Sequence, residues 1–426
     1  MRPRENSSRS GLVSIGLFLP YDGIPHAGGE YLLRHFEALE AAFQISAYAP
    51  GLPENVEAAG KTASVTASRR AVAGTGVLAG DRLKPLRDLV KLVRGASLAV
   101  DVEHALTHDP EFLARVRSSS VLEFQWTETA SLARFLRRVN PEAVQVLIAH
   151  DVLAQRWSRA SAAAPTLRSR VLYRLRAVFA RRAERRAFTE TDVVIVFSEK
   201  DRDEVLAIAP TAHVEVSPPS LVAAGMPQAA RARVGAPRTL LFTGALNRDE
   251  NHEALVWFLG SVWPAVQERV ADAEVVIAGA SPRPELADLV ERNPRVRLTG
   301  YVDDLGPYYA ESTLFVAPLL RGAGVKFKTI TAMLWGIPVV STSVGAEGVG
   351  SGSHYLAVDD TAPGFADAIV AALGDQARRD AVAATAFDWA HGEFGAELFT
   401  ARLRRIYSAG TAARSASLST GATTTP

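Results

Sequence analysis

Two series of short apolar runs, each alternating with amphipathic helical stretches, constrain this chain more than any other feature. In the first half the runs fall at 12–18, 44–49, 98–102, 121–125, 144–149, 192–197 and 213–216. In the second they fall at 239–243, 274–278, 296–299, 314–317 and 337–341. Runs this short and this uniformly apolar fit strands buried on both faces. Helical spacing lies between them, as with Leu32, Phe36, Leu39 and Phe43, and the alternation predicts parallel sheets with helices on both sides. A stretch rich in Pro, Ala and Gly, 218–238, has no periodicity and separates the series. The chain therefore reads as α/β, with doubly wound domains at 11–220 and 236–390 and a further helix within 391–409. The tails 1–10 and 410–426 have the composition of disordered chain. A helix is expected over 81–93; the rest of 51–97 has no clear period.

Length agrees, since 426 residues exceed one ordinary domain and suit two of roughly 200 each. A net charge of +1 gives no overall pull toward nucleic acid, so no such partner is expected. With no cysteine, disulfides and thiolate metal sites are excluded. The opening MRPRENSSRS followed by GLVSIGLFLP imitates a secretory leader, but it lacks a small-x-small cleavage site and flows into a glycine loop, as a first strand does. No window reaches the ~18 uninterrupted apolar residues of a membrane span. The expected location is cytoplasmic, at most peripheral at the inner face of the membrane. Residues 167–186 carry eight arginines against the single Glu184, with Val171, Leu175, Val178 and Ala183 among the apolar positions. That stretch reads either as a solvated charged face or as a patch drawn to anionic lipid or to a phosphate-bearing acceptor.

Local chemistry concentrates in 321–347, RGAGVKFKTITAMLWGIPVVSTSVGAE. Gly322 and Gly324 allow close backbone approach, the following helix adds partial positive charge, and Lys326 and Lys328 add whole charges, so the loop suits an anion. Gly28 and Gly29 precede the first helix, where an open parallel sheet presents its crevice. The strict G-x-G-x-x-G pattern is absent, and a nicotinamide cofactor is not supported. His150 and Asp151 close the run VQVLIA, at a strand end where either a structural or a functional histidine fits.

Written out, LLFTGALNRDEN, WFLGSVWPAV, VVIAGA, VRLTGYVDDLGPYYAESTLFVAPL, GAGVKFK and AMLWGIPVVSTSVGAEGV closely resemble the donor-binding domain of family 4 retaining glycosyltransferases carrying a GAG[IV]K donor loop. The resemblance is specific over about 239–350 and weaker before it. It implies the GT-B fold, two Rossmann-like domains facing across a cleft, with a last helix crossing back to the first domain. It also implies a nucleotide diphosphate-sugar donor. Arg321, Gly322, Ala323, Gly324, Val325, Lys326 and Lys328 would lie at the diphosphate, with Lys326 neutralising the leaving phosphate. Gly28 and Gly29 match the first domain's glycine loop, Gly244 follows the first strand of the donor domain, and Tyr301 and Val302 (with Asp303) match the loop that cradles the base. His150 matches the histidine near the donor sugar, so Lys326 and His150 stand as the catalytic candidates.

The chain also departs from that pattern. Two glutamates eight residues apart in many relatives are here Ala323 and Thr331, and an Arg and a Lys after the domain's first strand are Ala245 and Glu250. The second glutamate accepts from ribose hydroxyls, and losing its charge costs about 1.5–3 kcal/mol. The implied function is a retaining glycosyltransferase of cell-envelope or exopolysaccharide type, acting on a glycan or lipid-linked acceptor and needing neither cofactor nor metal. Asp303–Asp304 and Asp359–Asp360 are adjacent pairs rather than an Asp-x-Asp site. The rival reading is a catalytically weakened accessory or glycan-binding protein.

Overall fold

The structure is a computed structural model and describes residues 9–24, 27–74, 89–90, 92–164, 166–222, 226–227 and 238–421. It divides into two compact units, one formed by Met1–Ser220 with Ala396–Pro426 and the other by Leu221–Gly395.

The first unit holds a seven-stranded parallel sheet in the order β3-β2-β1-β4-β5-β6-β7. Its strands are β1 (Ser10–Ile15), β2 (Phe43–Pro50), β3 (Ala67–Val72), β4 (Ser119–Gln125), β5 (Val144–Ile148), β6 (Val193–Val196) and β7 (Val214–Val216). Val13, Ile15, Leu122, Phe124, Leu147, Val194 and Val196 face one buried cluster. Alternate positions turn to the other face, where Ser14 on β1 lies opposite Glu123 on β4. The second unit has six parallel strands in the order β10-β9-β8-β11-β12-β13. They are β8 (Thr239–Thr243), β9 (Glu274–Ala278), β10 (Val296–Leu298), β11 (Leu314–Ala317), β12 (Val339–Ser341) and β13 (Ala357–Val358). Here the alternation is apolar on both sides: Leu240, Phe242, Val275, Ile277, Leu314 and Val316 enter one cluster, and Leu241, Val276, Ala278, Phe315 and Ala317 the other. Two covered faces are why these strands read as unbroken apolar runs. In each sheet the strand order reverses beside the first strand, between β1 and β4 and between β8 and β11, the position where doubly wound sheets open a ligand crevice.

Several expectations are corrected. The run at 98–102 is not a strand: a helix spans Val100–His108, and it buries Val102 and Leu106, which are four residues apart. β3 escaped the sequence reading because its half-exposed alternation, ASRRAV, lacks an apolar run. Helices Pro53–Gly60, Leu153–Ala162 and Gln376–Glu393 were also unassigned. The segment expected to be a linker, 218–238, passes from the first unit into the second at Leu221, which lies in the second unit's core with its N–H donating to Phe394 O at 3.1 Å. The tail from 410 is not disordered as far as Gly421, because helix Ala396–Gly421 runs through it. Gly410 lets that helix approach Val144 and Val193, and Arg414 donates to Pro141 O at 3.0 Å and pairs with Asp192 at 3.6 Å. Composition missed this because the tail is held by packing on the first sheet rather than by residues of its own. The expected helix over 81–93 lies mostly outside the described residues, as do 1–8 and 422–426.

Candidate functional site

At the carboxyl edge of the second sheet, three glycines bring loops together without side chains. Gly279 and Gly300 form an antiparallel bridge, and a Cβ on Gly279 would collide with the Gly244 carbonyl oxygen. Gly244 follows β8 with φ 149°, and a Cβ there would lie 2.7 Å from Lys328 Nζ. The space left by that missing Cβ is therefore filled by the Lys328 ammonium, which arrives from the first turn of helix Phe327–Leu334. Lys328 Nζ donates to Asn251 Oδ1 at 2.6 Å and sits 4.1 Å from the centre of the Phe242 ring. Burial, and then the charge of Arg248, pushes this ammonium down to about 7, with Glu250 opposing. Among the described residues no carboxylate forms an ion pair with it.

The other cations of the loop are differently placed. Arg321 makes a two-pronged pair with Glu253 and lies 3.7 Å from Asp249. Lys326, only 8% exposed, folds back on its own loop, donating to Gly324 O at 2.6 Å and standing 3.6 Å from Glu347. Gly322 and Gly324 have φ of 140° and 69°, and the turn they make, with Ala323 and Val325 partly buried in it, brings Lys326 beside Gly322. The Thr331 hydroxyl donates to Phe327 O at 2.9 Å, so its proton is committed and its lone pairs remain as acceptors. Tyr301 is 62% exposed and, with Val302, follows Gly300 out of the glycine bridge. Sequence reasoning missed Asn251, Arg248, Glu253 and Glu347. Asn251 and Arg248 lie in LLFTGALNRDEN, where Arg248 supplies a cation three residues after Ala245.

In the first unit, Gly28 and Gly29 lie within the first turn of helix Ala27–Leu39, and Gly29 is buried. Burial raises the Glu30 carboxyl beside them, with Arg34 opposing. His150 follows β5 and enters an aromatic enclosure. It stacks on Trp126 with ring centres 4.0 Å apart, and the Tyr31 and Phe197 rings meet it edge-on at 5.0 and 5.1 Å. His150 Nε2 lies 3.1 Å from Gln125 Oε1. Burial pushes its imidazolium down to about 3, so the ring is neutral at physiological pH. Below it, Glu123 takes hydrogen bonds from Gln125, Ser14 and Tyr407 and pairs with His35 at 2.8 Å. Glu123 and Gln125 were legible only as two polar residues at alternate positions of an apolar strand, VLEFQ.

Residues 237–375 match the family described as Glycosyl transferases group 1. Over 119 residues the chain is 34% identical to an uncharacterised 44.6 kDa protein in the cps region of Klebsiella pneumoniae, of which it spans about a third (31%), using 26% of its own length. Solved structures align along nearly the whole chain. Anabaena HepE in complex with UDP and glucose matches with a TM-score of 0.63 at 13% identity, covering 94% of this chain and 100% of that one. An S. aureus TarM mutant in complex with UDP, Fondaparinux and alpha-GlcNAc-glycerol matches with a TM-score of 0.63 at 9% identity, covering 93% and 99%. The N-terminal domain of Candida albicans trehalose-6-phosphate phosphatase gives 0.64 at 11% identity, covering 94% and 97%. Among the described residues no helix is long and apolar enough to cross a membrane. The chain therefore has the GT-B fold, with a second unit that matches the glycosyl transferases group 1 family over residues 237–375.

Proposed function

We propose that the protein is a retaining glycosyltransferase that moves a sugar from a nucleotide diphosphate-sugar to a glycan or lipid-linked acceptor in polysaccharide biosynthesis. The observation that carries this reading is the Lys328 ammonium, held at the glycine crossing with a neutral amide and a ring for neighbours. A diphosphate supplies the missing counter-charge, and the charge that grows on the leaving phosphate meets a preorganised cation. The UDP bound in HepE and TarM and the match over 237–375 support the donor class. Lys326 and Arg321, each already paired with a carboxylate, hold the loop in shape, and Thr331 offers its lone pairs to a ribose hydroxyl. Retention needs no protein nucleophile, because the leaving phosphate takes the acceptor proton on the same face. The reading needs no metal and no cofactor.

Thermal-shift screening against UDP, GDP, ADP and their sugars tests the donor. At least one is expected to raise Tm, since ligand at a hundred times its Kd contributes about 2.7 kcal/mol. If none does, the transferase reading fails and the accessory-protein reading takes its place.

We also propose that the acceptor is met at an anionic membrane surface, through the Arg-rich helix, which spans Leu167–Glu190. Its Leu167, Val171, Leu175 and Val178 fall on one face at helical spacing and are 43% to 74% exposed. Arg168, Arg174, Arg182 and Arg185 are exposed around that row. Apolar residues rimmed by arginine fit an interfacial helix. Of the helix's two glutamates, Glu184 faces the other way, buried, and its carboxyl group accepts from the Leu153 and Ala154 N–H groups at 2.6 and 3.1 Å. Vesicles containing phosphatidylglycerol are expected to bind the protein in low salt and release it in high salt. Changing Arg174, Arg182 and Arg185 to Glu should weaken binding by at least about a hundredfold, at about 1 kcal/mol per charge. Unchanged binding would rule the helix out as the anchor.

A further inference from the structure

We infer that Glu123 and Gln125 are positioning residues that fix the proton of His150 on Nε2 and leave Nδ1 as a hydrogen-bond acceptor for a ligand hydroxyl. The inference rests on the reading of His150 as part of the sugar site. It follows from a chain of donors and acceptors that has one consistent assignment.

Glu123 lies fully buried in β4 and collects hydrogen bonds from three side chains besides His35: Ser14 Oγ at 2.7 Å, Tyr407 OH at 2.5 Å and Gln125 Nε2 at 2.7 Å. A carboxylate surrounded in this way only accepts. The amide nitrogen of Gln125 must therefore face Glu123, which turns its Oε1 toward His150. A carbonyl oxygen cannot donate, so the hydrogen bond at 3.1 Å requires the proton on His150 Nε2. In the neutral ring Nδ1 is then a bare lone pair. No described residue hydrogen-bonds Nδ1, and His150 is partly exposed at the carboxyl edge of the sheet.

The backbone of Trp126 adds a second constraint. It has φ 71° and ψ 145°, a region nearly reserved for glycine that costs a larger residue on the order of 1–3 kcal/mol. Its backbone is pinned in that shape, with N–H to Ile148 O at 3.0 Å and C=O receiving Thr129 N at 3.1 Å and Thr129 Oγ1 at 2.9 Å. The result is an indole laid within 12° of parallel on the His150 ring, which stops the ring from rotating. Proton position and ring plane are thus both set before any ligand arrives, and the acceptor points one way.

The full chain labelled with 15N-histidine, with His150 assigned by its loss in His150→Gln, reports the tautomer directly through long-range 15N–1H correlations. The wild type is expected to show one tautomer, protonated at Nε2. In Gln125→Met, which keeps the volume and removes the carbonyl, the two nitrogens should average toward a mixture. Glu123→Gln, which frees the Gln125 amide to flip, should do the same. A wild-type proton on Nδ1, or a Gln125→Met protein with an unchanged tautomer, overturns the relay. UDP-glucose, or whichever nucleotide-sugar raises Tm, should move the Nδ1 resonance upfield, whereas the nucleotide alone should not. A stabilising nucleotide-sugar that leaves Nδ1 in place overturns the acceptor role. The tautomer is read without ligand, so failure of the donor assignment is seen separately, in the thermal shifts.

Discussion

Lys328→Met is expected to lower sugar transfer by about two to three orders of magnitude, the usual effect of removing one preorganised donor from a leaving group. Methionine keeps the apolar contact with Phe242 and the space beside Gly244, so the fold should survive and the loss should report charge. Lys326→Ala should cost less, about tenfold, because Lys326 already answers to Glu347 and to its own loop carbonyls. Equal losses in both variants, or full transfer by Lys328→Met, would remove Lys328 from the leaving-group site. The pH dependence is a second reading of the same residue. The free ammonium titrates at about 7, and an anion favours its charged form. Nucleotide binding should take up a proton, hold steady below pH 7 and weaken by up to tenfold per unit above it. Calorimetry in buffers of different ionisation heat measures both.

The second large effect falls on the first unit. Glu123→Ala should destabilise that unit by about 3–5 kcal/mol, because it leaves His35 buried without its partner and orphans the donors of Ser14, Gln125 and Tyr407. Tyr407→Phe, removing one donor to a charged group, should cost about 1.5–3 kcal/mol. Burial by itself would raise the Glu123 carboxyl, but the charge of His35 and the hydrogen bonds from His35, Tyr407 and Gln125 outweigh it and bring the group to about 2. Because the folded value lies below the ordinary 4.5, its contribution is complete above pH 4.5 and is lost as pH falls toward 2. That contribution is on the order of 3 kcal/mol. Acid unfolding of the wild type should therefore begin in this window, and Glu123→Ala should lack that step. Identical acid profiles for the two proteins would show that the pair does not stabilise the unit.

Both effects touch residues whose partners are far away in sequence. The carboxyl-edge loops were legible because the sequence places glycines and lysines within a few residues of one another, as in 322–328. What the lysines do there was not legible. The ranking of Lys326 above Lys328 comes from the family resemblance, which does not show that Glu347 lies 3.6 Å from one, or that the other passes through the gap at Gly244 to Asn251. Likewise Ala245 and Glu250 looked like lost positive charge, until the fold placed Arg248 near enough to Lys328 to depress its titration.

The alternation of apolar runs with helical periods determined by itself that the chain forms parallel sheets covered on both faces, because strands with two buried faces must be apolar at successive positions. It failed where that condition fails: at the half-exposed β3, at helix Val100–His108 with its mixed pattern, and in the helix that carries small residues through 410–421. The tertiary structure alone decided which polar residues work together. Tyr407, Glu123 and His35 are joined by hydrogen bonds across as many as 372 residues of sequence, and Gln125 passes that arrangement on to His150. Hydrogen-bond direction and burial belong to pairs of atoms, and the folded chain is where those pairs are made.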